Sequence, residues 1–233
     1  MSGFARIIGV FFEPGKTFDD IGRRPTWFLP LVIIILSTIA FTTVLGQHIG
    51  WDHIVRQQVE NSPRAAQLPA EQREAQIAAG ARIAPVFGFA TVVLIPLGYV
   101  ITGGILLAMT AMMSGNLKFK QVYAVVCYSG LPGVLFALLG VVVMFLKKPE
   151  DFNVNNPLMF NAGAFMDPQA SSKFLYSLAT SMDLFSFWMI FLIATGLKAA
   201  AGKRLSFAGA MTAVVVPWAI YVFAKSAVAG AFS

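Results

Sequence analysis

Asp183 is the ionisable residue that most directly suggests chemistry, because it stands at the edge of an uncharged apolar run, residues 184–197. An ionisable group inside a membrane is costly, so its presence there indicates a functional site. Its partner across a helical bundle would be a polar residue such as Gln121 or Tyr123. The structural alternative is that Ser181 or Asp183 caps the first turn of a helix at the membrane surface.

Enzymatic chemistry finds little support in the sequence. An intramembrane serine protease needs serine and histidine inside the membrane, but His48 and His53 both fall in a polar loop. An aspartyl enzyme needs two carboxylates that share a proton, and only Asp183 is near a span. The two histidines, with Asp52 and Glu60 nearby, could bind a metal ion or simply be solvated loop residues. With no Gly-rich phosphate loop, the sequence predicts neither an enzyme nor a cofactor.

Two apolar runs contain helix-breaking residues, at Pro96 with Gly98 and at Pro132. Broken helices can mark transport sites, which keeps a small permease or channel as an alternative function. The break at Pro132 would give either a kink or two half-helices. Glycine also allows helices to approach closely, so Gly98, Gly103 and Gly104 equally predict internal packing or self-association.

The elements that hold these residues are membrane-spanning helices. The chain of 233 residues is 57% hydrophobic and 12% charged, whereas soluble domains carry roughly 25% charged residues. The apolar residues form blocks close to the roughly 20 residues that cross a bilayer as a helix. The sequence therefore predicts an all-α, polytopic membrane protein with a bundle of five transmembrane helices, at residues 27–45, 86–113, 121–146, 184–197 and 205–224. The fourth block is short and spans only if Lys198 extends to the surface, so four spans are an alternative.

Residues 1–26 precede the first span and predict a short amphipathic helix, since Phe4, Ile7, Ile8 and Phe11 recur at helical spacing. Such a helix either lies among the lipid headgroups or packs against the bundle. Residues 14–15 end it, and residues 17–20 resemble a capping box that opens a second turn. Residues 27–230 then form a single five-span domain with exoplasmic loops at about 46–82 and 147–182. Two surface helices, 49–60 and 70–82, are expected in the first loop.

Charge predicts the orientation of the chain. The segments at 1–26, 118–120 and 198–204 carry net charges of +1, +2 and +3, whereas the two long loops carry 0 and, with Asp183, −1. Positive segments stay inside, so the N-terminus is predicted to be cytoplasmic and the C-terminus exoplasmic, in a bacterial cytoplasmic (inner) membrane. No basic stripe interleaves with aromatics in a soluble segment, which excludes nucleic acid as a partner.

Several short motifs resemble bacterial proteins of the Ypt-interacting-protein (Yip-one) domain family. The motifs are Glu13–Phe18 followed by Arg24–Leu31, then Phe119–Gln121 with Ser129–Pro132, and Ser181–Trp188. The resemblance implies five spans, a cytoplasmic N-terminus and a short exoplasmic C-terminus. Eukaryotic members associate with Rab-type GTPases and with one another in vesicle traffic. They have a longer cytoplasmic N-terminal region than the 26 residues here, which argues against binding of a Rab-type GTPase.

The function predicted from these features is a non-enzymatic membrane scaffold or interaction protein. It would contact the lipid bilayer, associate with itself or with other membrane proteins, and serve membrane organisation or trafficking. The permease alternative would require a continuous polar path through the bundle. A dry, packed interior would favour the scaffold.

Overall fold

A computed structural model describes residues 1–60, 62, 68–154, 156–167 and 170–231, so parts of both predicted loops lie outside the described residues. The described chain is almost entirely helical. Its helices are α1 (Gly3–Phe12), α2 (Pro14–Arg23), α3 (Phe28–Val44), α4 (Trp51–Glu60), α5 (Ala70–Met112), α6 (Phe119–Ser129), α7 (Pro132–Leu146), α8 (Lys173–Ser181), α9 (Leu184–Ala201) and α10 (Phe207–Ala231). The described residues contain no strand, only an isolated bridge between Asn161 and Asp183.

Five helical stretches are long and apolar enough to span a membrane, which confirms the predicted fold class. They are Phe28–Glu60, Ala70–Met112, Phe119–Leu146, Leu184–Arg204 and Phe207–Ala231. The fourth, whose length was in question, continues past the predicted end to Ala201. Lys198 does not stop it, because a cation in the last turn of a helix interacts favourably with the helix dipole. The chain is an integral membrane protein with a short N-terminal helix.

The boundaries of the loop helices differ from the prediction. Residues 70–82 were expected to form a helix separate from the second span, but α5 runs without interruption from Ala70 to Met112. The expected boundary rested on a change from polar to apolar side chains. Such a change moves side chains from water to lipid but leaves the backbone hydrogen bonds of the helix intact, so the helix need not stop there.

The first span ends in a different way. A π-helical turn, Leu45–Gly50, joins α3 to α4. Gly50 closes this turn with a φ of +90°, a backbone conformation that glycine adopts readily. The chain can therefore change direction before Trp51, where α4 begins, two residues later than the predicted start of that surface helix.

Unit 1, one of two compact units, comprises residues 1–36, 94–135 and 184–221. Its core is apolar and contains fully buried side chains from four helices, such as Phe18 of α2, Val125 of α6, Leu197 of α9 and Ala210 of α10. A second cluster joins Tyr123 and Cys127 of α6 to Leu31 of α3. Unit 1 therefore has an apolar, packed core.

Unit 2 comprises residues 37–93, 136–183 and 222–233. Ile49, Ile54, Met144 and Phe152 form its buried apolar cluster. Arg56 of α4 donates two hydrogen bonds to Glu74 of α5, at 2.7 and 3.0 Å. In the same unit Gln57 binds the backbone of the second loop, accepting from Val154 N and donating to Phe152 O. Both predicted loops are thus tied down in unit 2 by named polar contacts.

Candidate functional site

Gly22 marks the point where three helices of unit 1 meet. The side-chain amide of Gln121, in the first turn of α6, donates a hydrogen bond of 2.9 Å to the Gly22 carbonyl. On the side of α9, a Cβ added at Gly22 would lie only 3.0 Å from the Cα of Ala200. The absence of a side chain therefore lets the end of α2 approach the end of α9. We call this contact the Gly22 junction.

Gln121, a predicted site residue, is a positioning residue of the Gly22 junction. Its side-chain oxygen accepts a hydrogen bond of 3.0 Å from the backbone N–H of Lys118. One amide thus caps the start of α6 and binds α6 to α2 at the same time. The sequence identified the residue, but its described partners are Lys118 and Gly22, so its pairing with Asp183 stays a prediction.

The Gly22 junction gathers basic side chains from three elements. The residues, which together we call the basic surface, are Arg23, Arg24, Lys118, Lys120, Lys198, Lys203 and Arg204. All seven are exposed. None forms an ion pair with a described residue, whereas the acidic residues Glu13 and Asp20 of unit 1 pair with Lys16 and Arg6. The basic surface therefore carries a net positive field that favours an anionic partner.

Arg6 fixes the chain beside the basic surface. Its guanidinium is 4% exposed and donates to the Asp20 carboxylate at 2.8 Å, to the Arg24 carbonyl at 2.9 Å and to the Thr26 hydroxyl at 2.8 Å. The hydrogen bond from the Met1 amino group, followed by those from Arg6, lowers the pKa of Asp20 below its ordinary value. This buried ion pair binds α1 to α2 and to the turn that leads into α3.

The second helix of this region begins earlier than predicted. Residues 17–20 were expected to cap it, but α2 starts at Pro14, and Thr17 lies inside it with its hydroxyl donating to the Glu13 carbonyl at 2.9 Å. Proline suits the first position of a helix, since its missing N–H would have no partner there anyway. The prediction of a capping box was wrong for that reason.

Tyr123, another predicted site residue, belongs to an aromatic group next to the basic surface. Its ring contacts Trp27 edge-on, with centroids 5.5 Å apart, and stacks on Phe119 at 5.7 Å. Tyr123 is buried, whereas the other two rings are partly exposed. Trp and Tyr are enriched where a membrane meets water, so this aromatic group suits the headgroup level of a bilayer.

The sequence predicted either a kink or two half-helices at Pro132. The structure has two half-helices there, because α6 ends at Ser129 and α7 starts at Pro132. Pro132 starts α7, and Gly130 lies between the helices, against the hydroxyl of Tyr99. Beside this break, the hydroxyls of Tyr128 and Ser129 are buried without a hydrogen-bond partner among the described residues. Of these two, sequence reasoning missed Ser129 because an isolated serine in an apolar run shows no pattern. The backbone of α5 stays helical through Pro96, so the kink expected there stays a prediction.

Asp183 lies in unit 2, whereas Gln121, Tyr123, Pro96 and Pro132 lie in unit 1. Asp183 directly precedes α9 and forms the isolated backbone bridge with Asn161. It therefore occupies the helix start that the structural alternative requires. Its side chain is partly exposed, and its functional role stays a prediction.

The histidines show no metal geometry. Among the residues that the structure describes, no group of three or more His, Cys, Asp and Glu side chains could hold a metal ion. His48 packs its ring on Phe145, with centroids 4.5 Å apart. The Nε2 atom of His53 is buried with no partner among described residues.

Comparison with known proteins gives one match. The family model of the Yip1 domain matches residues 8–227, nearly the whole chain. No curated protein and no solved structure matches the chain significantly.

Proposed function

Because the chain belongs to the Yip1 domain family, we propose that it is a non-enzymatic membrane scaffold whose basic surface faces the cytoplasm and binds anionic lipid headgroups. The observation that carries the proposal is that unit 1 has an apolar core and keeps its cations on the exposed surface. The core is built of apolar side chains, while seven exposed cations lie around the Gly22 junction. The hydroxyls of Thr17 and Thr110, also buried in unit 1, donate to backbone carbonyls one turn away, so these two groups need no water.

Electrostatics favours lipid headgroups as the partner of the basic surface. Each Lys or Arg near an anionic leaflet contributes about 1 kcal/mol of attraction. Exposed aromatic rings at Trp27, Phe28 and Phe119 adjoin these cations in the sequence, and such rings anchor proteins at the interface. Cations with aromatics are the combination that headgroup contact requires.

The N-terminal helix α1 supports the same placement. Val10 of α1 is fully buried, and Ile7 and Phe11 pack on the core of unit 1. Phe4, Ile8 and Phe12 are 72%, 61% and 80% exposed on the other side of the same helix. The helix thus packs on the protein with one face and offers lipid an apolar stripe with the other, so both placements left open by the sequence contribute.

Lateral association is the second part of the proposed role. Large apolar side chains are exposed along all five candidate spans. These surfaces would contact lipid, a second copy of the chain or other membrane proteins.

The experiment measures energy transfer from a donor on the protein to acceptor-labelled lipid in proteoliposomes. The donor is attached to Ala208→Cys on a Cys127→Ser background, near Arg204 in the sequence. We expect stronger transfer to labelled phosphatidylglycerol than to labelled phosphatidylcholine. The difference should shrink in Lys118→Gln/Lys120→Gln/Lys203→Gln, which removes three of the seven cations. It should disappear at high salt, because salt screens exposed charges.

The matched control replaces exposed cations of unit 2, in Lys147→Gln/Lys148→Gln. This variant should keep the preference for phosphatidylglycerol. Equal transfer to both lipids in the unmodified protein would refute headgroup binding. Labelling of the Ala208→Cys variant by a membrane-impermeant maleimide only after cells are opened would support the cytoplasmic placement, and labelling of intact spheroplasts would contradict it.

A small permease or channel is the second candidate function. The half-helices at Gly130 favour it, as do the hydroxyls of Tyr128 and Ser129, which have no partner in the described part of the chain. Broken helices with polar groups line many transport sites. Solute flux into proteoliposomes that Tyr128→Phe and Ser129→Ala abolish would establish transport. Absence of flux for ions, sugars and amino acids would argue against transport and leave the scaffold as the proposed function.

A further inference from the structure

A cavity of about 450 Å³ opens among α5, α9 and α10 of unit 1, and we call it the lateral groove. Its floor includes Leu106, Ile190 and Val214, which are 3%, 6% and 5% exposed. Aliphatic and aromatic side chains form most of its walls, with hydroxyls only at Thr102, Ser186 and Tyr221. The groove is therefore a site for an apolar molecule.

The absence of a side chain at Gly98 keeps this space open. A Cβ added at Gly98 would meet no heavy atom within 4 Å. Gly98 therefore makes no close contact with another described helix and lines the groove. Self-association through Gly98, the other alternative left by the sequence, stays a prediction. The opposite wall includes Pro217, a proline inside α10. Because proline has no N–H, the carbonyl one turn earlier in α10 lacks its usual helical partner.

The groove is lined by residues of three candidate membrane-spanning helices: 98–106 of α5, 186–193 of α9 and 214–221 of α10. In the hydrocarbon of a bilayer that such helices cross, water is absent. An empty apolar cavity loses dispersion contacts on all its walls, so an apolar group from the surroundings fills it.

Size decides between the two apolar occupants available in a membrane. A helix at least about 10 Å wide has a cross-section near 80 Å², so 450 Å³ holds only about one helical turn. A spanning helix of a second copy would remain mostly outside the groove. A hydrocarbon chain is far thinner, and the cavity is within the range of about 300–1,000 Å³ typical of small-molecule sites.

We propose that the lateral groove binds one acyl chain of a membrane phospholipid. The groove is separate from the basic surface, so this proposal goes beyond headgroup binding and stands or falls independently of it. Bound in this way, the chain packs against Leu106, Ile190 and Val214 and completes the packing of α5 with α9 and α10.

The test uses photo-crosslinking in proteoliposomes with a phosphatidylcholine that carries a diazirine in its acyl chain. Adducts are mapped by mass spectrometry. We expect adducts on the groove residues Ile190, Ile193 and Val214. Gly98→Phe places a ring in the open space and should abolish these adducts, while adducts on the exposed Leu138 and Val142 of α7 persist as an internal standard.

Gly104→Phe is the matched control. Gly104 lies on the same helix and also has open space around it, but it does not line the groove. Its groove adducts should match those of the unmodified protein. If Gly98→Phe does not fold, Gly98→Val, with a smaller side chain, should reduce the same adducts.

Two results would overturn the proposal. The first is equal labelling of Ile190, Ile193 and Val214 in the unmodified protein, Gly98→Phe and Gly98→Val, which would mean that lipid only surrounds the protein there. The second is a disulfide-linked dimer of Gly98→Cys on the Cys127→Ser background in place of lipid adducts. That dimer would show that a second copy of the chain covers the groove.

Discussion

Gly196 provides a sharp test of how α9 packs in unit 1. A Cβ added there would lie 2.5 Å from Cγ1 of Val125 and 2.8 Å from Cδ1 of Phe18. Both neighbours are fully buried, and neither is a flexible side chain that could swing away. Gly196→Ala must therefore displace α2 or α6 from α9.

The expected magnitude follows from two opposing terms. Overpacking a close-packed interior costs about 1–3 kcal/mol, while alanine in place of glycine inside a helix gains up to about 1 kcal/mol. Gly104→Ala receives the same gain but meets nothing within 4 Å. The difference between the two variants therefore isolates the overpacking, and it corresponds to about 2–4 °C in melting midpoint per kcal/mol for a chain of this length.

The assay uses the cysteine of the chain, Cys127, which is fully buried. A maleimide that fluoresces on reaction with thiols reports unfolding of the detergent-solubilised protein as temperature rises. Gly196→Ala should melt below Gly104→Ala, which should melt at or above the unmodified protein. If Gly196→Ala melts as high as Gly104→Ala, then Phe18 and Val125 do not enclose Gly196, and the described core of unit 1 is wrong.

Three further predictions concern the polar contacts of unit 1. Arg6→Leu leaves the Asp20 carboxylate paired with the Met1 amino group alone, and should lower the free energy of unfolding by about 2 kcal/mol, measured by thermal unfolding. Arg6→Lys should lose less because it keeps the charge. The Asp20 pKa is lowered by the Met1 amino group and by Arg6. The ionised Asp20 carboxylate therefore stabilises the folded protein fully above the ordinary pKa of about 3.8, and this stabilisation is lost as the pH falls through the folded pKa. Asp20→Asn should flatten this acid dependence of the melting midpoint, read by tryptophan fluorescence. Gln121→Leu should cost about 1–3 kcal/mol, because the buried Gly22 carbonyl loses its donor, and unchanged thermal unfolding would contradict the junction.

The spans could be predicted from the sequence because their physical requirement is local. A segment in hydrocarbon must satisfy its backbone polar groups internally, so an uncharged run of sufficient length becomes a helix almost regardless of its neighbours. The fourth span shows the limit of that rule. Its end depended on whether Lys198 could extend to the surface, and α9 continues past it to Ala201.

The helix ends in the first loop and in the N-terminal region were harder to predict. Residues 70–82 differ in polarity from the span that follows, but they contain no proline, and the one glycine among them, Gly80, stays within α5. Pro14 follows the expected break after α1, which ends at Phe12, and also starts α2. Side-chain polarity tells where a helix is solvated, whereas its ends depend on backbone groups and caps.

The candidate site was predicted in its residues more than in its contacts. Gln121 and Tyr123 were identified as polar groups at the start of an apolar run, and both lie at the edge of the basic surface. The bond from Gln121 to the carbonyl of Gly22 joins residues 99 positions apart. A side chain that binds a distant backbone carbonyl leaves no periodic signal in either segment, so no sequence pattern could have revealed the junction.

The motifs that resemble the family have structural partners in unit 1. Within the first motif, Arg24 accepts a hydrogen bond from Arg6 at its carbonyl, and Trp27 packs on Tyr123. Within the second, Gly130 lies against Tyr99. These residues therefore specify how the helices fit together. The proposed function rests instead on what the assembled helices expose, which is why the basic surface and the lateral groove are the two places to test.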